Sequence, residues 1–364
     1  MKKYALIGCS LCFLLGSACS PEENTEAPAE EDSADHEPVQ AEPEEPEEKT
    51  VENSSADREE PEEKEYDETE PLTGEGTDEV SLYRPVAVMI NNHPKARPQT
   101  GINKADIVYE VLTEGDMTRF LAVYQSEQPE ELGPVRSARD YFIDLAAGYD
   151  SLFVAHGWSP EAKQMLQSGA APYLNGLFHD GTLFQRSSER QAPHNSYITF
   201  EDALQGLSSK GYEMEQDVSP NHFKEEGYSD STASEAEDVS IWYRDKYVVQ
   251  FSYDEEEEQY ERSSDNTAAI DTATDEQTAV KNIFIVEAPH RVIDDKGRRE
   301  IDLSSGGEGL LLQNGKALTV QWKNEEGRIL PVKDGQDIPF APGKTWINVI
   351  PSSSGIEGSV QGVE

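Results

Sequence analysis

Residues 84–125 read RPVAVMINNHPKARPQTGINKADIVYEVLTEGDMTRFLAVYQ. The run Val86-Ala87-Val88-Met89-Ile90 is apolar without alternation, which predicts a strand covered on both faces. Residues 107–113 and 119–125 flank Glu114-Gly115-Asp116, the pattern of a hairpin. After Gly133-Pro134, the segment VRSARDYFIDLAAGYD sets Val135, Ala138, Phe142, Leu145, Ala146 and Tyr149 at helical spacing, with Pro134 suited to the first turn. A second buried strand at 152–155 runs into a helix capped by Ser159 and closed near Gly169, and Thr199 with Asp202 opens another through Leu207. Strands alternating with helices predict an α/β domain over residues 80–225.

Working outward, residues 226–238 are polar and poor in core residues and read as a linker. Beyond them the helical period disappears. Residues 241–243, 247–253, 282–287, 309–313, 317–322 and 345–350 look like strands separated by Gly, Asp and Asn turns. The expectation is a mainly β domain over 239–352, with an acidic, disordered insertion around 254–278 and a flexible tail at 353–364.

Towards the N-terminus, MKKYALIGCSLCFLLGSACS has two lysines, an apolar core and small residues before Cys19. That is a signal peptide over residues 1–18 with a lipobox at its end. The alternative box before Cys9 leaves almost no apolar core ahead of the cut. All three cysteines, Cys9, Cys12 and Cys19, lie in this leader. Cleavage therefore leaves one thiol, positioned to carry a lipid such as palmitate, and excludes disulfides and thiolate chemistry from the mature chain. The expected location is the extracytoplasmic face of the cell membrane, the membrane being a partner through the anchor. Residues 19–79 follow as a disordered acidic tether, with 23 acidic against 3 basic residues between 20 and 71. A chain cut back to Thr77 is thus expected to be as stable as one beginning at Ser20.

The whole chain carries a formal charge of −43. A surface so acidic repels phosphate backbones, which argues against nucleic acid as a partner. Against that background the basic groups of the first domain stand out: Arg119, Arg136, Arg139, His156, Arg186, Arg190 and His194, with Asn195 beside the last. Arginine forks match carboxylate and phosphate, so an anionic cell-envelope ligand is one reading. The other is that the arginines pair internally with Glu110, Glu114, Asp140 and Asp144, which makes the domain a scaffold. The strand-to-helix turn His156-Gly157-Trp158-Ser159 superficially resembles a nucleophile site, but Pro160 favours the helix-cap role for the serine. His194 is a candidate base or a structural loop histidine, and catalytic residues stay unassigned. His156, His179, Asp180, His194 and His290 lack metal-site spacing. No glycine-rich phosphate loop occurs, so neither metal nor cofactor is expected. The sequence does not identify a protein partner.

The stretches RPVAVMINNHPKARPQTGINKADIVYE, TRFLAVYQ, GPVRSARDYF, AHGWSPEA and RQAPHNSY, with QNGKA, Trp322-Lys323, Asp334-Gly335 and PGKTWINV, resemble the YerB-like lipoproteins of Gram-positive bacteria. The resemblance covers most of residues 80–352 and implies two domains behind a lipoprotein signal. The family is one of unknown biochemical function, so no catalytic residues come with it. Where the family pattern has a histidine-containing turn, this chain has RSSDNTAAID at 262–271. Arg136-Ser137-Ala138-Arg139-Asp140 is more loosely similar to the arginine-aspartate motif of the LytR-CpsA-Psr cell-wall transferases. The functional expectation is a lipoprotein that binds an anionic envelope ligand. A cell-envelope transferase or hydrolase and a structural scaffold are the alternatives.

One consequence is open to test. Cys19→Ser should abolish incorporation of labelled palmitate and release the protein to the medium or leave it as uncleaved precursor; continued labelling would rule out the anchor.

Overall fold

The strand over the Val86 run is buried at every position because its two sides feed two different cores. Val86, Val88 and Ile90 pack on one face and Ala87 and Met89 on the other. The structure, a computed structural model, describes residues 66–243 and 247–364. The leader, Cys19 and the first part of the tether lie outside the described residues. The principal elements of the first half are β1 Val86–Asn91, β2 Ile107–Leu112, β3 Thr118–Tyr124, α1 Asp140–Ala147, β4 Leu152–Ala155, α2 Pro160–Gln167, β5 Tyr173–Asn175, β6 Ser196–Thr199 and α3 Phe200–Ser209. Those of the second are β7 Asp238–Trp242, β8 Val248–Asp254, β9 Gln259–Ser264, β10 Asn282–Ala288, β11 Gly307–Gln313, β12 Lys316–Glu325, β13 Arg328–Lys333, β14 Thr345–Pro351 and α4 Gly355–Ser359.

Strand dominates the architecture, and one large sheet runs through both halves in the order β13-β12-β11-β10-β14-β2-β3-β1-β4-β5. Its seam is β14, parallel to β10 on one side and to β2 on the other. The expected hairpin of β2 and β3 forms, with Ile107 opposite Val123 and Leu112 opposite Thr118. Helices α1 and α2 cover one face, burying Phe142, Leu145, Ala162 and Leu166. On the other face lie α3, through Phe200, Ala203 and Leu207, and a second sheet containing β7, β8 and β9. The caps fall where the sequence puts them: Ser159 Oγ accepts from Ala162 N at 3.1 Å, and Thr199 Oγ1 from Asp202 N at 2.9 Å.

Five expectations need correction. Residues 134–139 are extended rather than helical, and α1 begins only at Asp140 with Arg139 as its cap. The backbone donors of that segment are claimed by distant carbonyls, Val135 N by Ser196 O at 2.6 Å and Arg136 N by Met89 O at 2.7 Å, which outweighs the helical periodicity. The insertion expected to be disordered at 254–278 is instead ordered, pairing β9 with β8 along six residues. Asp271 within it is fully buried, accepting from Gly101 N and Asn103 N at 2.8 Å each. The tail at 353–364 is not flexible, since α4 leads into Val360–Gln361, which pairs with β7. The tether also gives way to folded chain at least from residue 66. Glu68–Thr69 pairs with Gly76–Thr77, Leu72 and Thr73 are buried, and Gly343 N donates to Thr73 O at 2.7 Å. Gly74, at φ +70°, lies against the Phe223 ring where a Cβ would collide.

Residues around 224–238, read as a linker, are pinned along the second half. Lys224 N donates to Phe340 O at 3.0 Å, Tyr228 N to Gln313 Oε1 at 3.0 Å, and Ser234–Glu235 adds a short strand to β12.

The two sheets meet around a buried ion pair. Glu110 on β2 and Arg262 on β9 are almost wholly removed from solvent, with Arg262 Nη2 2.9 Å from Glu110 Oε2. Trp346 Nε1 donates to the same oxygen at 3.1 Å. Glu110 Oε1 accepts from Thr118 at 2.8 Å, Tyr247 at 2.9 Å and Asn92 at 3.3 Å. The Arg262 guanidinium also lies 4.6 Å from the Trp346 ring centre and 5.1 Å from that of Phe120.

This geometry gives two predictions. Arg262→Met strands the Glu110 carboxylate and should cost about 3–5 kcal/mol in urea unfolding. Adding Glu110→Gln should recover a large part of that, whereas strictly additive losses would show that the pair is not coupled. The second concerns the N-terminal edge. A chain beginning at Tyr66 should melt like the longer protein, while one beginning at Thr77 should lose roughly 2–3 kcal/mol from Leu72 burial alone. Equal melting temperatures for the two would show that the Leu72 contact contributes nothing.

Candidate functional site

The first half brings most of the basic residues singled out in the sequence to the end of the large sheet where β1 and β4 end and β3 begins. Arg119 opens β3 opposite Asn91 of β1. Its Nη2 lies 2.9 Å from Glu114 Oε2, and its Nη1 donates to Ser137 O at 2.7 Å. Arg139 takes the other Glu114 oxygen, through Nε at 2.7 Å and through Nη2, and donates to Ala138 O at 2.5 Å. One hairpin carboxylate therefore serves two arginines. Burial pushes the Glu114 carboxyl up, but Arg119 and Arg139 together override it and hold it below its usual range. Glu110, the other anticipated partner on this hairpin, is taken by Arg262.

Arg136 lies between them on the extended segment, half-buried. Among the described residues no carboxylate pairs with it. Burial and then the nearby Arg139 lower its pKa, with Glu114 opposing. For Arg119, burial and Arg139 pull the value down to about 9. Guanidinium groups stay protonated at neutral pH, so the crowding amounts to a free-energy penalty that a nearby anion relieves.

The histidines border the same region. Arg186 Nη2 is 2.9 Å from His156 Nε2, and a guanidinium can only donate. The His156 proton is thereby assigned to Nδ1, which donates to Ser196 Oγ at 2.7 Å. The histidine is thus not arranged to take a proton from that serine. Arg186 itself is held by Asp180, at 2.9 Å and 3.0 Å, and by Asn195 Oδ1 at 3.1 Å. His194 accepts from Asn91 Nδ2 at 2.9 Å and stacks on His93 with ring centres 4.5 Å apart. Burial first, and then cations including Arg136, lower the pKa of His93, His156 and His194 alike.

Arg190 stands apart in role. It donates to Ala96 O and, at 2.6 Å, to Pro98 O, bracing the 94–98 loop. Ser159, the superficial nucleophile, is committed to its helix cap. His290 lies elsewhere, half-buried beside Ala288 O. Sequence reasoning missed His93, and it missed that Asn91 and His93 of the NNHP turn complete the histidine pair. The signal was a histidine directly after a fully buried strand. Among the described residues no group of three or more His, Cys, Asp or Glu is gathered as a metal site, and no helix is long and apolar enough to cross a membrane.

Comparison with known proteins adds the family. Residues 72–213 match the model described as the N-terminal domain of a protein of unknown function, DUF3048, and residues 238–347 match the corresponding C-terminal domain. The chain is 52% identical over 286 residues to the Bacillus subtilis (strain 168) protein named "Putative lipoprotein YerB", covering 77% of this chain and 86% of that one. The crystal structure of the YerB protein from Bacillus subtilis aligns with a TM-score of 0.75 at 48% identity, covering 81% of this chain and 99% of that one. With both domain models matched in order and half of the 286 aligned residues shared with YerB, the chain belongs to the YerB-like DUF3048 family, a family of unknown function.

Proposed function

We propose that the protein is a lipid-anchored lipoprotein on the extracytoplasmic face of the cell membrane, where the cluster centred on Arg136 binds an anionic cell-envelope ligand. The anchoring part rests on the lipobox before Cys19 and on the name carried by the YerB relative. The binding part rests on one observation. Three guanidinium groups, Arg119, Arg136 and Arg139, crowd around the single carboxylate of Glu114, inside a chain whose formal charge is −43. Unneutralised cations kept half out of water are costly unless a partner offsets them. His93 and His194 border the same groups and would add hydrogen bonds to a phosphate or carboxylate.

A scaffold reading is favoured for part of the cluster, since Arg119 and Arg139 are both committed to Glu114 and Arg190 to loop carbonyls. It does not account for Arg136. The two readings therefore separate at that residue.

In a thermal-shift series at constant ionic strength, phosphate, sulfate and inorganic diphosphate should raise the melting temperature of the wild type. Arg136→Ala should remove that protection while leaving the ligand-free protein as stable, or more so. Arg139→Ala should destabilise by about 1.5–3 kcal/mol, because Glu114 loses one of its two arginines while keeping Arg119. A wild type indifferent to every anion would end the binding proposal and leave the scaffold.

A further inference from the structure

A cavity that Arg136 does not line lies between the 94–99 loop of the first half and the 264–270 hairpin of the second. Its volume is about 490 Å³, in the range of small-ligand pockets. Pro94, Pro98, Ala268 and Ile270 supply apolar wall, and Arg97 and Arg262 line it as well. The polar part of the lining is unusual. Arg262 is 2% exposed and spends Nη2 on Glu110 and Tyr247, yet its Nε is buried with no acceptor among the described residues. Arg97 spends Nε on Asn92, at 3.2 Å to the carbonyl and 3.0 Å to the side chain, and Nη1 on the half-exposed Asp265 at 3.4 Å. Its Nη2 is likewise buried and unmatched.

An orphaned donor on a buried cation is among the costlier features a fold can keep. Here one occurs on the buried Arg262 and a second on the half-buried Arg97, both lining one cavity, and both guanidinium groups are held in place. Arg97 sits over Tyr247 with its carbon 5.0 Å from the ring centre, and Arg262 sits over Trp346 and Phe120. Rotation to find acceptors elsewhere would break those contacts and the Glu110 pair. Gln99, Ser264, Asp265 and Thr267 supply the other polar lining, and Pro94, Pro98, Ala268 and Ile270 the apolar part, so the partner that fits is an acceptor oxygen brought in on an apolar body.

We propose that this cavity is a binding site for a small ligand that presents a carbonyl-type oxygen, a carboxylate or an amide, to Arg97 and Arg262 and lays its apolar portion along Pro94, Pro98, Ala268 and Ile270. Ligand binding here would join the first-half loop to the second-half hairpin across the same Arg262 that anchors the two sheets. None of Arg119, Arg136 and Arg139 lines this site.

The probes are benzoate and benzamide, with benzene as the control lacking the oxygen. At about tenfold excess over its Kd, a probe should raise the melting temperature by about 2 °C. Arg97→Gln should remove at least tenfold of the affinity. Ala268→Trp, an exposed position at the cavity wall that leaves the buried network untouched, should do the same without lowering the melting temperature. Arg136→Ala should bind the probe as wild type does. Stabilisation by benzoate alone assigns the oxygen as a carboxylate, and stabilisation by both assigns a neutral acceptor as sufficient. No shift with either oxygen-bearing probe, an equal shift with benzene, or a shift that survives both Arg97→Gln and Ala268→Trp overturns the proposal.

Discussion

A carboxylate taken out of water has to be met by charge and by donors, and Glu110 is met by five groups drawn from five separate stretches of chain. Arg262 comes from β9, Trp346 from β14, Thr118 from β3, Asn92 from the end of β1, and Tyr247 from the entry to β8. Sliding any of these strands by one residue turns its side chain to the opposite face and leaves the charge unmatched. The polar centre therefore fixes register between the two sheets in a way that interchangeable aliphatic contacts do not. Position 262 also shows why the stretch RSSDNTAAID is more than a replacement for a histidine turn. Its first residue anchors the sheets, and its last, Asp271, ties down the 101–103 loop.

Local patterns were legible wherever one physical cause dominated. Unbroken apolar runs gave strands buried on two faces, and Ser159 and Thr199 were readable as caps because a short side-chain oxygen at that offset reaches a free amide. Readings failed where tertiary partners overrode the local signal. Residues 135–139 have helical spacing, yet their amides are satisfied by β1, by Ser196 and by Gly157. Residues 254–278 are acidic and still ordered, because most of their carboxylates are exposed while Tyr260, Arg262 and Asp271 are buried. Leu72 is a single apolar residue at the end of a proline- and glutamate-rich stretch, too little to reveal burial by composition.

The basic cluster was visible as a set of residues but not as an arrangement. Sequence could nominate Glu110 and Glu114 as partners; it could not show that one would be committed across the sheet interface and the other divided between two arginines. Spacing also suggested Arg136 and Arg139 as neighbours along a helix. They are neighbours instead because an extended segment is threaded between the strand ends, which leaves Arg136 without a carboxylate while Arg139 caps α1.

The position of β14 bears on the order in which the molecule can be assembled. It is among the last elements in the chain, yet it lies in the middle of the large sheet, parallel to β10 and β2. A chain emerging N-terminus first, whether from a ribosome or through a translocon, exposes one unpaired edge on β2 and later another on β10 until residues 345–351 arrive to close both. During that interval the partly built sheets present templates for pairing with other chains. The acidic surface works against that hazard, since strongly like-charged chains repel one another before the strand that seals them is available.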